Sequence, residues 1–548
     1  MLDKYLPRTD FDSYEDFLEN YRVNIPDNFN FGFDIIDAWA DRESEKLALM
    51  WCDDNDEERS FSYDDLRRLS NQAANYLTSL GIGKGDVVMC ILRRRFEYWI
   101  TAIALCKLGA VLIPASMQLT SKDTIYRANS AKVKAVICVN DDFVITQMEQ
   151  ALPECPTIEF KIMTPGEREG WLVFNEALPQ FSDVFERPLG DLGVGARDTM
   201  LIYFTSGTTG MPKMVQHNFA HPLGHIVTAK YWQQVRQDKL HMSVSDSGWA
   251  KFGWGKIYGQ LICGAPVFAY DMDKFVPATL MQKLEQYKVA TFCAPPTMFR
   301  FMLADESMSD YDFSAIEHCG NAGEPLSPEV FNKIKDIWGL SMHEGFGQSE
   351  STVLIANFPW FEPKPGSMGK PSPIYDIDLI DDDGNSCEEG EEGRIIVRNV
   401  DAVGLFTGYY QDEKLTADAF AGGVYDTGDI AWRNHDGYYW FVGRNDDMIK
   451  CSGYRIGPFE VESVLCEHDA VLECAITGAP DPHRGQVVKA TIVLNAGWTA
   501  SDELAKELQN HVKRMTAPYK YPRIIEFTDE LPKTIGGKIK RAEIRAES

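Results

Sequence analysis

Tyr203-Phe204-Thr205-Ser206-Gly207-Thr208-Thr209-Gly210-Met211-Pro212-Lys213 is the stretch on which the reading of this chain turns. The apolar run Met200-Leu201-Ile202-Tyr203-Phe204 leads into a loop dense in hydroxyls and glycine, and the loop ends in a lysine. Gly207 and Gly210 let the backbone turn sharply and come close to a ligand. Thr205, Ser206, Thr208 and Thr209 supply hydroxyl donors, and Lys213 adds a mobile positive charge. That is the equipment of a polyphosphate cradle. A solvated turn shares the composition, but the apolar lead-in and the Met-Pro-Lys ending speak against one. The ending also excludes the P-loop of the nucleoside triphosphatases, which needs Gly-Lys-Ser/Thr where this chain has Met211-Pro212-Lys213-Met214.

Upstream of the loop, strand and helix patterns alternate. From Ser60 an N-cap (Ser-Tyr-Asp-Asp-Leu) opens a helix running to Leu80; Gly81 stops it, and 87–92 is an apolar strand. Arg93-Arg94-Arg95 reads as a solvated loop. The longest apolar stretch, 98–114, is interrupted by Lys107 and Gly109, which predicts a helix turning into a buried strand and not a membrane span. A helix at 121–130 and a strand at 133–139 continue the alternation. The pattern predicts parallel βαβ units in doubly wound sheets. Residues 1–60 have weak periodicity and read as an edge segment packed on the main body.

The bulk properties narrow the class. A chain of 548 residues exceeds one core, and its ordinary hydrophobic content and 25% charge mark it as soluble and globular. A net charge of -28 argues against a nucleic-acid partner and leaves an anionic small molecule open. The twelve cysteines include no Cys-x-x-Cys pair, and several, such as Cys106 and Cys138, sit in apolar runs as reduced thiols do. The first residues have neither an apolar signal core nor the Arg/Ser-rich, acid-poor character of a presequence. The expected location is therefore cytoplasmic.

Downstream, His217, His221 and His225 are spaced four apart, but Pro222 and Gly224 disfavour a regular helix and the carboxylate of His-Glu-x-x-His is missing. They read as packing or solvated residues and not as a metal site. Asp246-Ser247-Gly248-Trp249-Ala250-Lys251-Phe252-Gly253-Trp254-Gly255 sets large rings among glycines, which suits either a substrate wall or plain core packing. Met342-His343-Glu344-Gly345-Phe346-Gly347-Gln348-Ser349-Glu350 ends small residues on a carboxylate, a donor of the kind Mg²⁺ accepts beside phosphate oxygens. Residues 381–393 are acidic and turn-rich, as a hairpin is. Tyr425-Asp426-Thr427-Gly428-Asp429 places a carboxylate where it can bind both hydroxyls of a ribose. The segment from Gly443 to Pro458 is dense in loop formers and charge. After it comes a compact α+β pattern whose tail, Leu531-Pro532-Lys533-Thr534-Ile535-Gly536-Gly537-Lys538, is basic and glycine-hinged.

These motifs, in this order, resemble the acyl-adenylate-forming superfamily of acyl-CoA synthetases, luciferases and peptide-synthetase adenylation domains. Phe346 and Ser349 stand where that family commonly has tyrosine and threonine. Thr516-Ala517-Pro518-Tyr519-Lys520 and Ser452-Gly453-Tyr454-Arg455 are most similar to medium-chain acyl-CoA synthetases. The resemblance implies an α/β body of doubly wound mixed sheets with a β-barrel-like subdomain, residues 1–445. It also implies a small mobile α+β domain, residues 446–548, hinged at Asp446.

It implies, further, an ATP site of 205–213, Gly323, Glu324, Pro325, Glu344, Gly345, Phe346, Gly347, Gln348, Ser349, Asp429, Arg444, Arg455 and Lys538. Mg²⁺ would sit at Glu350, and Lys538, Glu350 and Lys213 would be catalytic. Ser452, Gly453, Tyr454, Arg484 and Lys513 would take CoA, and Trp249, Phe252, Trp254 and Gly347 would line the acyl pocket. Acetate-specific relatives carry tryptophan where this chain has Gly347, so the pocket is expected to be deep.

The implied reaction joins a medium-chain, branched or aromatic carboxylic acid to CoA through acyl-AMP, with ATP giving AMP and diphosphate, in a monomer or homodimer. Two other readings remain open at this point. One is an acyl-AMP ligase that loads a carrier protein or another acceptor; the other is a nucleotide-binding relative without turnover.

Overall fold

The computed structural model describes residues 1–205, 211–451, 454–481, 484–533 and 539–546. Two large sheets form the body. In the first, the strands run in the order Gly408–Tyr409, Lys213–Asn218, Thr199–Thr205, Val111–Pro114, Val87–Ile91, Ala135–Val139, Phe160–Thr164, Leu172–Val173. From Thr199–Thr205 to the far edge its pairings are parallel. The second has nine strands, parallel from Met342–Phe346 through His318–Ala322, Thr291–Ala294, His241–Ser243 and Val267–Asp271 to Leu47–Asp53. Helices cross between strands, as parallel pairing requires. Every residue of the helix Glu97–Leu108 is buried, which is the behaviour of a helix apolar on all sides and enclosed by the body. Gly109 closes it at φ 75°, a left-handed value that favours glycine.

The expected barrel-like subdomain is a four-stranded antiparallel sheet, Ile377–Ile380, Glu392–Val397, Tyr425–Arg433, Tyr439–Arg444. The small domain has its own sheet, in which Val471–Asp481 and Gly485–Leu494 pair antiparallel and Ile524–Phe527 joins in parallel. The helices Pro458–Cys466 and Asp502–Met515 contribute to the same apolar core. No helix of the described residues is long and apolar enough to cross a membrane.

Two expectations need correction. Residues 1–60 are no edge segment: Leu47–Asp53 lies inside the nine-stranded sheet, and Phe17, Phe29, Phe31 and Trp39 are buried in the main core. Weak periodicity there reflects a chain buried on several sides, which leaves no polar face to alternate. Arg93, Arg94 and Arg95 are not solvated either. Arg93 pairs with Asp271 at 3.1 Å, Arg94 lies 3.7 Å from Asp246, and Arg95 pairs with Glu97 at 3.0 Å. The run joins the end of one sheet to the end of the other, so carboxylates distant in sequence compensate its charge.

Histidine is the second long-range device. His217, His221 and His225 form a column, with ring centres 3.9 Å and 4.7 Å apart, and His225 Nε2 lies 3.1 Å from His221 Nε2. His241, His318 and His343 form another group on the nine-stranded sheet, with the last two rings 4.5 Å apart. Burial lowers the pKa of all six, to about 4 for His217 and about 3 for His225 and His241. These rings are neutral in the fold. The unfolded chain takes up their protons below about pH 6.5 and the folded chain does not, so stability falls as pH drops through that value toward 4. His225→Gln should therefore lose less stability than the native chain on going from pH 7.5 to pH 5, by at most about 1.4 kcal/mol per pH unit below 6.5. Denaturant titrations at the two pH values measure this, and parallel losses would contradict it.

Candidate functional site

Four elements converge on one region. The strand Thr199–Thr205 is followed by the antiparallel strand Lys213–Asn218, with Thr205 opposite Lys213. The glycine-hydroxyl stretch thus connects two paired strands, and Thr205 and Lys213 stand at its two feet. Met211 is exposed and Pro212 accepts a hydrogen bond from the Tyr126 hydroxyl at 3.0 Å. Ser206, Gly207, Thr208, Thr209 and Gly210 lie outside the described residues, as do Ser452, Gly453 and Lys538.

Lys213 Nζ sits 5.2 Å from the ring centre of Tyr409, and the Tyr409 hydroxyl donates to Glu350 Oε1 at 3.1 Å. The Glu350 carbonyl accepts from Phe406 N at 2.7 Å, and the neighbouring Ser349 carbonyl lies 2.7 Å from His217 Nε2. The motif 342–350 is therefore tied to the hairpin that carries Lys213. Glu350 keeps its second carboxylate oxygen without a hydrogen bond from any described residue, and no group of three candidate ligands gathers there among the described residues. A carboxylate oxygen left open near Lys213 is a donor of the kind Mg²⁺ accepts, since that ion keeps several waters and takes few protein ligands.

Gln348 makes the next junction. Its carboxamide nitrogen donates to Asp429 Oδ2 at 2.5 Å and to the Thr427 carbonyl at 2.8 Å, and its oxygen accepts from the Tyr425 hydroxyl at 2.5 Å. Asp429 faces Arg444 across the antiparallel pair Tyr425–Arg433 and Tyr439–Arg444, with Arg444 Nε 4.0 Å from Asp429 Oδ1 and 3.4 Å from Asp446 Oδ1. The carboxylate predicted to hold the ribose thus stands beside the residue predicted as hinge.

On the nine-stranded sheet, Asn321 and Glu344 are register partners at the carboxyl ends of adjacent parallel strands, where sites of open α/β sheets lie. Both are buried. Neither amide atom of Asn321 has a partner, nor does Glu344 Oε2, and burial raises the Glu344 carboxyl to about 8. Buried polar atoms are normally satisfied, and here three unpartnered atoms lie on facing residues of adjacent strands. Gly345 and Phe346 follow in the same strand, and Gly345 allows Trp232 to pack so closely that a Cβ would lie 2.4 Å from its ring. Gly323 turns at φ 104° just beyond, and Glu324 accepts from Thr297 Oγ1 at 2.6 Å, leaving Pro325 to lead toward the next helix.

The residues expected to line the acyl pocket stand in different environments. Trp249 is half-buried at the start of the helix Ala250–Lys256. Phe252 is sealed in the core, its ring 4.9 Å from Tyr98 and 5.1 Å from Trp99, and offers no wall to a ligand. Trp254 fills the space that Gly347 leaves: a Cβ at 347 would fall 2.3 Å from its Cη2. The deep space expected behind Gly347 is thus occupied by a ring from another element. Of the remaining predicted residues, Arg455 pairs with Asp382 of the acidic hairpin at 3.0 Å. Tyr454 stacks on Tyr519 at 4.1 Å, Lys513 Nζ lies 4.0 Å from the Tyr521 ring centre, and Arg484 caps a turn onto Asp481.

Tyr409, Tyr425 and His217 are not among the site residues expected from the sequence. Gly408-Tyr409-Tyr410, a glycine-aromatic step beside a short polar turn, was the one local signal for the first of them. The contact of Gly347 with Trp254 is directly testable. Gly347→Ala should lower the thermal midpoint, because the methyl meets both the ring and the Thr352 carbonyl, a clash of the kind that costs about 1–3 kcal/mol. Trp254→Ala in the same chain should recover part of that loss; additive losses in thermal denaturation would show that the two do not press on each other.

With this geometry in place, comparison with known proteins is informative. Residues 36–410 match the family described as AMP-binding enzyme, and residues 460–538 match the AMP-binding enzyme C-terminal domain. Acyl-coenzyme A synthetase ACSM3, mitochondrial, of Mus musculus is 41% identical over 547 residues, which span 98% of this chain and 93% of that one. Acyl-coenzyme A synthetase ACSM4, mitochondrial, of Homo sapiens is 41% identical over 533 residues, 95% of this chain and 91% of that one. The crystal structure of the anthranilate CoA ligase AuaEII in complex with anthranoyl-AMP has a TM-score of 0.88 at 27% identity and covers 95% of this chain and 98% of that chain. The relatives are named mitochondrial, which overturns the cytoplasmic expectation. Free thiols distinguish a reducing from an oxidising setting and do not separate one reducing compartment from another. By its matched domains and near full-length relatives, the chain belongs to the AMP-binding enzyme family.

Proposed function

We infer that this chain is an AMP-forming acyl-CoA synthetase, which joins a carboxylic acid to CoA at the expense of ATP through an acyl-AMP intermediate. The observation that carries the reading is the junction at Gln348, where the predicted ribose carboxylate, the predicted metal carboxylate and the phosphate-loop lysine are drawn together by Tyr425 and Tyr409. Full-length similarity to acyl-coenzyme A synthetases supports it. The acid belongs to the medium-chain, branched or aromatic class, in keeping with fatty acid metabolism.

In this reading 205–213 cradles the β and γ phosphates, Asp429 and Arg444 take the ribose, and Asn321 and Glu344 with 323–325 face the base. At neutral pH the raised Glu344 carboxyl carries its proton, so its hydroxyl can donate to a ring nitrogen. Mg²⁺ at Glu350 would offset charge on the phosphate oxygens. The substrate carboxylate attacks the α-phosphorus and diphosphate leaves; Lys538, brought in by the small domain, meets the charge that develops there. The domain boundary falls at 445/446. Rotation about Asp446 then presents Ser452, Gly453 and Tyr454 to the path of CoA, with Arg484 and Lys513 toward its nucleotide. The CoA thiolate attacks the acyl carbonyl and expels AMP.

Two measurements test this. Diphosphate release with short, medium, branched and aromatic acids should depend on the acid, and thioester should form only when CoA is added; acid-independent ATP turnover would refute the assignment. Lys538→Ala should slow acyl-AMP formation by about a hundredfold or more, as loss of a transition-state donor does. Thioester formation from supplied acyl-AMP and CoA should continue near the native rate. Equal loss in both half-reactions, followed by rapid quench, would remove Lys538 from the adenylation step.

A further inference from the structure

The small domain holds a feature that the synthetase reaction does not use. Cys466 is the last residue of the helix Pro458–Cys466, and Cys474 lies in the strand Val471–Asp481, paired across to Ile492. Their sulfur atoms are 3.9 Å apart. Of the twelve cysteines, all free, Cys466 is the one that is not buried; Cys474 is buried. A short connection, 467–470, separates helix from strand, so the two thiols are held face to face by the local fold.

We propose that Cys466 and Cys474 form a peroxide-reactive dithiol, a modification site that closes to an intramolecular disulfide. The Cys466 thiolate attacks one oxygen of a hydroperoxide and breaks the O–O bond, giving the sulfenic acid and, with a proton, water or an alcohol. The Cys474 thiol then displaces the sulfenic oxygen, which leaves as water, and the S–S bond forms. Two thiols are oxidised by two electrons and the peroxide is reduced by two. Closure to a bond length near 2.04 Å requires each sulfur to move by about 1 Å. The neighbouring Cys474 thiol holds the Cys466 pKa below that of an ordinary thiol against the opposing effect of burial, and the Arg300 guanidinium of the large body adds to the lowering. This is the setting in which a thiolate becomes nucleophilic.

The location gives the modification a route to the tail. Cys474 Sγ lies 3.7 Å from the carbonyl of Glu462, one turn before Cys466. The Glu462 carboxylate accepts from Ile476 N at 2.8 Å and binds Arg541 through both oxygens at 2.8 Å. Arg541 and Arg545 reach on to Asp447, 3.8 Å and 2.7 Å away. Disulfide formation removes the thiol donor at the base of this chain of charges.

The test is chemical and does not depend on the synthetase assignment. The folded full-length protein is treated with hydrogen peroxide, quenched with catalase, denatured in iodoacetamide and digested with trypsin. Residues 456–484 emerge as one peptide, because no lysine or arginine intervenes between Arg455 and Arg484. That peptide should escape alkylation and be two hydrogens lighter than the reduced form, and dithiothreitol should restore two alkylatable thiols; the other ten cysteines should alkylate throughout. Cys474→Ser should leave Cys466 as a sulfenic acid trapped by dimedone, and Cys466→Ser should leave Cys474 reduced. Two free thiols in the native chain at a peroxide dose that oxidises exposed Met211, or a disulfide that forms only between chains, would overturn the proposal.

Discussion

The carboxamide of Gln348 is the fastening on which the site depends. One side chain extends from the end of the nine-stranded sheet and satisfies the Tyr425 hydroxyl, the Asp429 carboxylate and the Thr427 carbonyl of the antiparallel sheet. Only an amide offers an acceptor and two donors on one rigid plane. A carboxylate here would repel Asp429, and a lysine would leave Tyr425 without an acceptor. The sheets meet at this point because their polar ends complete each other.

Around that junction the packing leaves little slack. Gly345 and Gly347 let tryptophan rings close on the strand backbone, and Gly248 lies so near Ser116 that a Cβ would sit 2.3 Å from its nitrogen. Interiors this dense hold their shape against small forces. The polar atoms without a hydrogen-bond partner within them, at Asn321 and Glu344, carry a desolvation cost. A ligand that met their hydrogen-bonding needs would offset that cost.

The sequence disclosed the parts whose chemistry is local. The alternation of strands and helices, with the strand that opens the 342–350 motif, was legible because periodicity depends on near neighbours. What it concealed depends on pairing across hundreds of residues. Arg93 to Arg95 look like a solvated run until Asp271 and Asp246 arrive from the other sheet. Tyr409 and Tyr425 look like ordinary strand aromatics until their hydroxyls are seen on Glu350 and Gln348. Gly347 promised open space, which Trp254 takes up, because a glycine announces that something comes close without naming it. Location was illegible for a related reason: thiols report redox state and carry no address.

The glycine-hydroxyl stretch, which we propose as a phosphate loop, joins two paired strands, with Thr205 and Lys213 as opposed residues. In a P-loop the phosphates rest on a helix N-terminus, whose partial positive charge is fixed in the backbone. Here the chain enters and leaves the stretch as strands, Thr199–Thr205 and Lys213–Asn218, and Lys213 stands at its foot as a side-chain charge. Charge borne on side chains can be withdrawn by rotation about single bonds, whereas charge borne on a helix cannot. The hairpin therefore suits an enzyme that must grip a triphosphate and then let a diphosphate go before its second substrate can react.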